Sequence, residues 1–207
     1  QAGLKGIVIS LDHWKEEEHN RFRKHEKSYS WVFEAARNAL AAGLVVSLSL
    51  CATKSFITFE NLSRYLHLAQ VNGISMIRIL EPRETGHYQG QDVELEEAQI
   101  RLLESFYLRS VCDPLFRNSP VIEYVAYHQR RIGCFGAGDR YLYIDSKGDI
   151  HACPFCQNPV ANALTDPVES SLARLREVGC HKYHRHIPED DLALSEQGRP
   201  ETNEIHG

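Results

Sequence analysis

The sequence predicts an α/β protein, consisting of part of a parallel (β/α) barrel followed by a small cysteine-rich domain with a β-hairpin and a helix. Apolar runs typical of buried parallel strands alternate with amphipathic helical patterns over the first half of the chain. Gly43 and Gly73 each precede such a run and lie thirty residues apart, a spacing that indicates a repeated strand–helix unit. Four of the six cysteines lie beyond residue 130, around a hairpin-like pattern.

Hydrophobic patterning assigns the elements of the barrel part. Strands are predicted at 6–11, 44–51 and 74–80, and helices at 30–42, 59–71 and about 94–108. Ser30 and Thr58 are expected N-caps, and Gly43 and Gly73 are expected to end their helices. Functional groups in such folds gather at the carboxyl ends of the strands. Asp12 and Glu81 follow these strands and could face a substrate, but the favoured interpretation is that they are solvated loop carboxylates.

Three strand–helix units are too few to close an eight-unit barrel, and the chain starts directly on a strand. The expectation is therefore that it forms the later part of a larger α/β domain. The predicted domain organisation is a partial barrel at 1–110, a connector at 111–133 with a short helix near 119–130, a cysteine-rich domain at 134–186 and a mobile polar tail at 187–207.

The cysteine-rich segment has the layout of a metal site. Its candidate ligands are Cys134, Cys153, Cys156 and Cys180. Thirteen residues separate Cys134 from Gly148, which closes the predicted hairpin turn 145–148, and four more precede Cys153. A helix is predicted near 167–178. Four thiolates suit an iron–sulfur cluster or a structural zinc, and the spacing alone leaves both open.

Composition excludes several classes of partner. The 207 residues carry a net charge of -5, which argues against non-specific binding to nucleic acid. No apolar run approaches the roughly 18 residues of a membrane-spanning helix. Six cysteines clustered around a Cys-x-x-Cys are typical of metal ligands in a reducing compartment, so we expect a cytoplasmic protein.

Two segments resemble a known family. The strand Val8–Asp12 and the following His19-Asn20-Arg21-Phe22-Arg23 resemble the middle of the radical S-adenosylmethionine barrel, where a strand ending Ser-Leu-Asp precedes a His-Asp-x-x-Arg segment. The segment Ile144-Asp145-x-x-Gly148-x-x-x-x-Cys153-Pro154-Phe155 resembles the SPASM or twitch auxiliary-cluster domain of these enzymes. The resemblance covers roughly residues 5–180.

The resemblance implies roles for individual residues. Ser10 would contact the ribose or methionine part of S-adenosylmethionine, Arg23 its carboxylate, and the backbone at Leu80 its adenine. The four candidate cysteines would bind one auxiliary 4Fe–4S cluster. The resemblance assigns no catalytic residue.

The activity that the resemblance implies is radical chemistry on a peptide or protein substrate. In the complete enzyme, S-adenosylmethionine would yield a 5′-deoxyadenosyl radical that abstracts a hydrogen atom, with electrons from a donor such as flavodoxin or ferredoxin. This requires a second 4Fe–4S cluster bound by Cys-x-x-x-Cys-x-x-Cys, a motif that these 207 residues lack. The chain alone is therefore expected not to cleave S-adenosylmethionine.

Two other hypotheses remain open. The chain could be a non-catalytic zinc- or cluster-binding interaction module on an α/β scaffold, with His184 near Cys180 as a further zinc donor. It could also be a degenerate relative that binds a peptide without turnover. Some single positions also have a simpler interpretation. Arg23 could be a solvated charge in a basic stretch that includes Arg21. Cys51 could be a small buried hydrophobic residue, and Cys112 could be a spare thiol.

Overall fold

The computed structural model describes residues 3–134, 136–180 and 182–183. The chain divides into two compact units, Gln1–Tyr127 and His128–Gly207. The predicted tail at 187–207 and the histidine at position 184 lie outside the described residues. Among the helices that the structure describes, none combines the length and the apolar character needed to cross a membrane.

The first unit contains a four-stranded parallel sheet. Its strands follow one another in chain order as β1 (Gly6–Ser10), β2 (Val45–Cys51), β3 (Met76–Leu80) and β4 (Val121–Glu123). All three neighbouring pairs are parallel. The prediction of a parallel α/β sheet is confirmed.

The helices of this unit are α1 (Glu16–Arg23), α2 (Ser28–Ala41), α3 (Phe59–Val71), α4 (Glu97–Cys112) and α5 (Val125–Ile132), the last of which continues into the second unit. Thr58 caps α3 as predicted, because its side chain accepts a hydrogen bond from the amide of Asn61 at 3.1 Å. The predicted cap at Ser30 is wrong. Ser30 lies inside α2, and its hydroxyl donates to the carbonyl of Lys27 at 3.0 Å.

One α-helix and one strand of the first unit, α1 and β4, were not predicted. Helix α1 buries only His19, so it lacks the apolar stripe by which a helix is found in a sequence. Strand β4 has three residues and lies where the connector was expected to form a short helix near 119–130, whereas α5 begins only at Val125. A three-residue strand is too short to show an alternating pattern.

The two faces of the sheet differ. On one face, Leu48, Ile77 and Ile122 align in register and are buried, with apolar side chains of α2, α3 and α4 in the same core cluster. On the other face, Val8 and Val121 are 51% and 66% exposed. The sheet thus presents a partly open face on the side away from its core.

The second unit contains a small antiparallel sheet of β5 (Tyr143–Ile144), β6 (Asp149–His151) and β7 (Ala161–Asn162), and the helix α6 (Val168–Val178). The predicted hairpin turn is confirmed: the amide of Gly148 donates to the carbonyl of Asp145 at 3.1 Å, and Gly148 has a φ of 85°. The helix predicted near 167–178 is α6. A small apolar cluster that includes Ile150 and Leu175 joins the sheet to α6.

Candidate functional site

The first candidate site lies at the carboxyl ends of β1, β2 and β3. We call it the strand-end site and define it by Ser10, Asp12, Arg23, Cys51 and Leu80. Ser10 and Leu80 are the last residues of β1 and β3, and both are exposed. Strand β2 separates them, with Cys51 paired to Leu80 in register. Parallel strands end at the same edge of a sheet, so two of the predicted cofactor contacts share that edge.

Asp12 holds this site together. Its carboxylate is buried, and Oδ2 accepts a hydrogen bond from Nε of Arg23 at 2.5 Å. Oδ1 accepts one from the backbone amide of Cys51 at 3.2 Å. The expectation of a solvated loop carboxylate at Asp12 is therefore wrong. Its carboxylate connects the end of β2 to the last turn of α1.

Arg23 is consequently paired at the strand ends while its side chain stays in contact with solvent. Its side chain is 39% exposed while it is paired with the buried Asp12. The Nε–H group is used in this pair, whereas the four remaining N–H groups of a guanidinium lie on its two Nη atoms in a fork that matches a carboxylate. Arg21, the neighbouring arginine, instead pairs with Glu18 on the helix surface.

His19 completes the buried cluster around Asp12. Its Nδ1 accepts a hydrogen bond from the amide of Asp12 at 3.1 Å, which assigns the ring proton of the neutral form to Nε2. Burial lowers the pKa of His19, and the charge of Asp12 opposes this shift. The neutral imidazole thus fixes the backbone at the start of the loop that follows β1.

Cys51 and Glu81 complete the strand ends. Burial, followed by the charge of Asp12, raises the pKa of the Cys51 thiol to about 11, so the thiol is protonated at neutral pH. The protonated thiol is half-buried at the end of β2. The carboxylate of Glu81 accepts a hydrogen bond from the hydroxyl of Tyr124, so Glu81 is also not merely solvated.

A polar row crosses the open face of the sheet and was missed by sequence reasoning. Ser10, Ser49, Arg78 and Glu123 align in register, one on each strand. Nε of Arg78 and Oε2 of Glu123 are 2.6 Å apart, and both side chains are partly exposed. The row could not be predicted because it depends on the register between neighbouring strands and on β4. The hydrophobic pattern of a single strand shows neither of these.

The second candidate site lies in the second unit. We call it the four-thiol site and define it by Cys134, Cys153, Cys156 and Cys180. The sulfur atoms of Cys153 and Cys156 are 3.4 Å apart. Burial, opposed by the backbone amide of Gly136, raises the pKa of Cys134, and the neighbouring Cys180 adds to this rise. Burial raises the pKa of Cys156 to about 12, with contributions from Cys153, Cys180 and Cys134 in that order. Such mutual effects act only over short distances.

Local structure brings these cysteines together. Cys153 lies just after β6, and the amide of Cys156 donates to the carbonyl of Cys153 at 3.0 Å in a tight turn. Cys180 follows the end of α6, where Gly179 has a φ of 63°. The amide of Cys134 donates to the carbonyl of Tyr183 at 3.1 Å, which ties the segment after α6 to the loop of Cys134.

The four cysteines of this site supply the sulfur donors that a 4Fe–4S cluster or a structural zinc binds as thiolates. None of the four forms a disulfide. Among the described residues, no group of three or more His, Cys, Asp or Glu side chains is placed to hold a metal ion. Both species remain candidates for this site.

Comparison with solved structures shows a shared fold. The chain is similar to SuiB of Streptococcus suis bound to S-adenosylmethionine, with a TM-score of 0.56 and 14% identity over 85% of this chain and 42% of that chain. It is similar to SuiB bound to the precursor peptide SuiA, with a TM-score of 0.56 and 16% identity over 79% of this chain and 40% of that one. It is also similar to a further structure of SuiB, with a TM-score of 0.55 and 15% identity over 85% of this chain and 43% of that chain.

The chain spans about two fifths of the length of these SuiB structures. At this level of identity the likeness establishes the fold. No protein-family model matches the sequence. No curated protein matches it either.

Proposed function

We propose that the chain forms the later part of a radical S-adenosylmethionine enzyme that modifies a peptide, and that its second unit is a twitch-like auxiliary domain with one 4Fe–4S cluster. The extent of the fold likeness carries this proposal. The fold match covers 85% of the chain. The first unit has 127 of the 207 residues, so the matched part is longer than that unit. The SuiB of that comparison binds S-adenosylmethionine.

The strand-end site supplies the proposed contacts to S-adenosylmethionine. Ser10 offers a hydroxyl that both donates and accepts at an exposed strand end. Arg23 is held through Nε by Asp12, and its Nη groups would bind the methionine carboxylate. The backbone at Leu80, the last residue of β3, would contact the adenine. Asp12 acts here as a positioning residue, because it orients the guanidinium without contacting the cofactor.

The four-thiol site holds the proposed auxiliary cluster through Cys134, Cys153, Cys156 and Cys180. When bound, the cluster supplies a redox centre or a ligand for the substrate. The protein's own contribution is to gather the four thiols, to bury Cys153 and to shield the site with the small core around Ile150.

A peptide is the proposed substrate, since a structure that shares the fold is bound to a precursor peptide. An electron donor such as flavodoxin or ferredoxin is the proposed redox partner. The polar row from Ser10 to Glu123 lies on the open face of the sheet and is suited to contact a polar substrate.

The proposed role of Arg23 can be tested on the complete gene product under anaerobic conditions. Arg23→Met should lower the formation of 5′-deoxyadenosine from S-adenosylmethionine by 10-fold or more, since a charge-assisted pair contributes about 1.5–3 kcal/mol. Arg21→Met is the matched control, because the exposed Arg21 pairs with Glu18 on α1 and not with Asp12. Equal turnover in the two variants, or no 5′-deoxyadenosine from the unaltered protein, would contradict the proposal.

A zinc-binding interaction module is the second candidate function. The 3.4 Å separation of the sulfurs of Cys153 and Cys156 favours it, because two thiolates bound to one zinc at about 2.3 Å lie similarly close. This candidate requires stoichiometric zinc and no sulfide in the purified protein. The cluster proposal requires iron with sulfide and no stoichiometric zinc.

A further inference from the structure

The open face of the parallel sheet carries polar side chains where a covered sheet would carry apolar ones. Parallel sheets usually have both faces covered, and their strands then consist of nearly continuous apolar runs. Strand β2 alternates instead. Leu48 and Leu50 are buried on its core side, and Ser47 and Ser49 lie on the opposite side. Because serines offer little apolar surface to a second layer of helices, the alternation favours a polar ligand on this face.

The charged part of the open face is the pair of Arg78 on β3 and Glu123 on β4. Nε of Arg78 lies 2.6 Å from Oε2 of Glu123, and the two side chains are 39% and 33% exposed. This pair uses the Nε–H group, whereas the four other N–H groups of a guanidinium lie on its two Nη atoms. Asp12 holds Arg23 through Nε in the same way. The Nη atoms of Arg78 therefore keep the fork that matches a carboxylate.

Hydrogen-bond donors predominate in the row that contains Arg78. Ser10 and Ser49 are in register with Arg78 and add two hydroxyl groups that can donate. Glu123 is the one carboxylate among these four residues, and it is already paired with Arg78. An ionised carboxylate only accepts hydrogen bonds, so it complements a surface with spare donors.

We propose that Arg78 binds a carboxylate of the peptide substrate, either from an acidic side chain or from the C-terminus. This inference rests on the proposed function, because the proposed peptide supplies the carboxylate. Glu123 acts as a positioning residue, since it holds the guanidinium through Nε. Neighbouring strands lie about 4.8 Å apart, so the backbone of Arg78 is roughly 10 Å from that of Ser10, across β2. A peptide residue bound there lies near the proposed cofactor contact.

Three acetylated tripeptides test the proposal on the 207-residue chain. Ala-Glu-Ala and its isostere Ala-Gln-Ala carry amidated C-termini, and Ala-Ala-Ala carries a free C-terminal carboxylate. The measurement is a titration followed by the amide chemical shifts of the ¹⁵N-labelled chain. At least one carboxylate peptide should shift the resonances of residues 76–80 and 121–123 and bind about 5-fold more tightly than Ala-Gln-Ala. The tighter of the two identifies the source of the carboxylate.

The chain offers a matched pair of variants. Arg78→Met removes the guanidinium from the sheet and should abolish the preference for a carboxylate. Arg64→Met is the control, because Nε of Arg64 is also paired with a glutamate, Glu60, at 2.8 Å, but on α3. Arg64 has no place in the row of the sheet, so its loss should leave the preference unchanged.

The outcomes separate this inference from the function on which it rests. Equal affinity for all three peptides, no shifts at residues 76–80, or a preference that survives Arg78→Met overturns the role of Arg78. If Arg78→Met does not fold, the unaltered chain decides through its peptide preference and the location of its shifts. A complete gene product that forms no 5′-deoxyadenosine overturns the proposed function, whereas the titration needs neither S-adenosylmethionine nor a cluster.

Discussion

At the scale of single residues, the strand-end site contains positions that a sequence motif could predict and one, Asp12, whose role it could not. The apolar run before Ser10 predicted a strand, and β1 ends at this residue. The role of Arg23 was implied by the family resemblance alone and stays a prediction. The role of Asp12 could not be derived in this way. An aspartate after a strand is usually solvated, and only the fold brings Arg23 and the amide of Cys51 to the same carboxylate.

His19 gives a prediction about pH at this scale. Its pKa is lowered below 6.5 by burial, with Asp12 raising it and Arg23 and His13 lowering it. The unfolded chain therefore binds the proton more tightly than the folded one. The stability that depends on neutral His19 is complete above pH 6.5 and is lost as the pH falls through the folded value.

The free energy of unfolding in urea, measured from pH 8 to pH 5, tests this. The unaltered chain should lose stability below pH 6.5 more steeply than His19→Gln, which cannot take up this proton. His13, whose pKa burial also lowers, is present in both proteins and cancels in the comparison. Parallel curves for the two proteins would show that His19 does not remain neutral in the fold.

At the scale of elements, those with a strong hydrophobic period were predictable and those fixed by tertiary contacts were not. Strand β2 and helix α3 were found with almost correct bounds, because each buries a continuous apolar surface. Helix α1 is highly charged and buries one histidine. Strand β4 takes its conformation from pairing with β3 rather than from its own three residues.

The hairpin between β5 and β6 gives a prediction at the same scale. Gly148 has a φ of 85°, and a Cβ atom there would lie 3.1 Å from Cγ of Leu164 and 3.2 Å from Oδ1 of Asn162. Gly148→Ala should destabilise the hairpin by about 1–3 kcal/mol, from backbone strain and crowding together. Hydrogen–deuterium exchange over residues 143–162 should be faster by the corresponding factor.

Gly179→Ala is the matched control for that prediction. Gly179 has a φ of 63°, but a Cβ atom there would meet nothing within 4 Å. The control therefore includes the backbone strain without the crowding. Exchange in the hairpin that is no faster in Gly148→Ala than in Gly179→Ala would mean that the turn does not need the close approach of Leu164.

At the scale of the whole molecule, the two units could be predicted to different degrees. The parallel sheet followed from repeated strand–helix units, which admit few other topologies. The cysteine spacing predicted the hairpin but left the bound species open between zinc and a cluster. The separation of the four sulfurs depends on how α6 and the loop of Cys134 pack, which no local pattern encodes.

The most direct test of the central claim is the content of iron, sulfide and zinc in the 207-residue chain after anaerobic reconstitution. The cluster proposal predicts about four iron and about four sulfide per chain. It also predicts their loss in Cys153→Ser, whereas Cys112→Ser, which alters an exposed thiol, should keep them. One zinc per chain without sulfide, or equal iron in the two variants, would contradict the assignment of the four-thiol site.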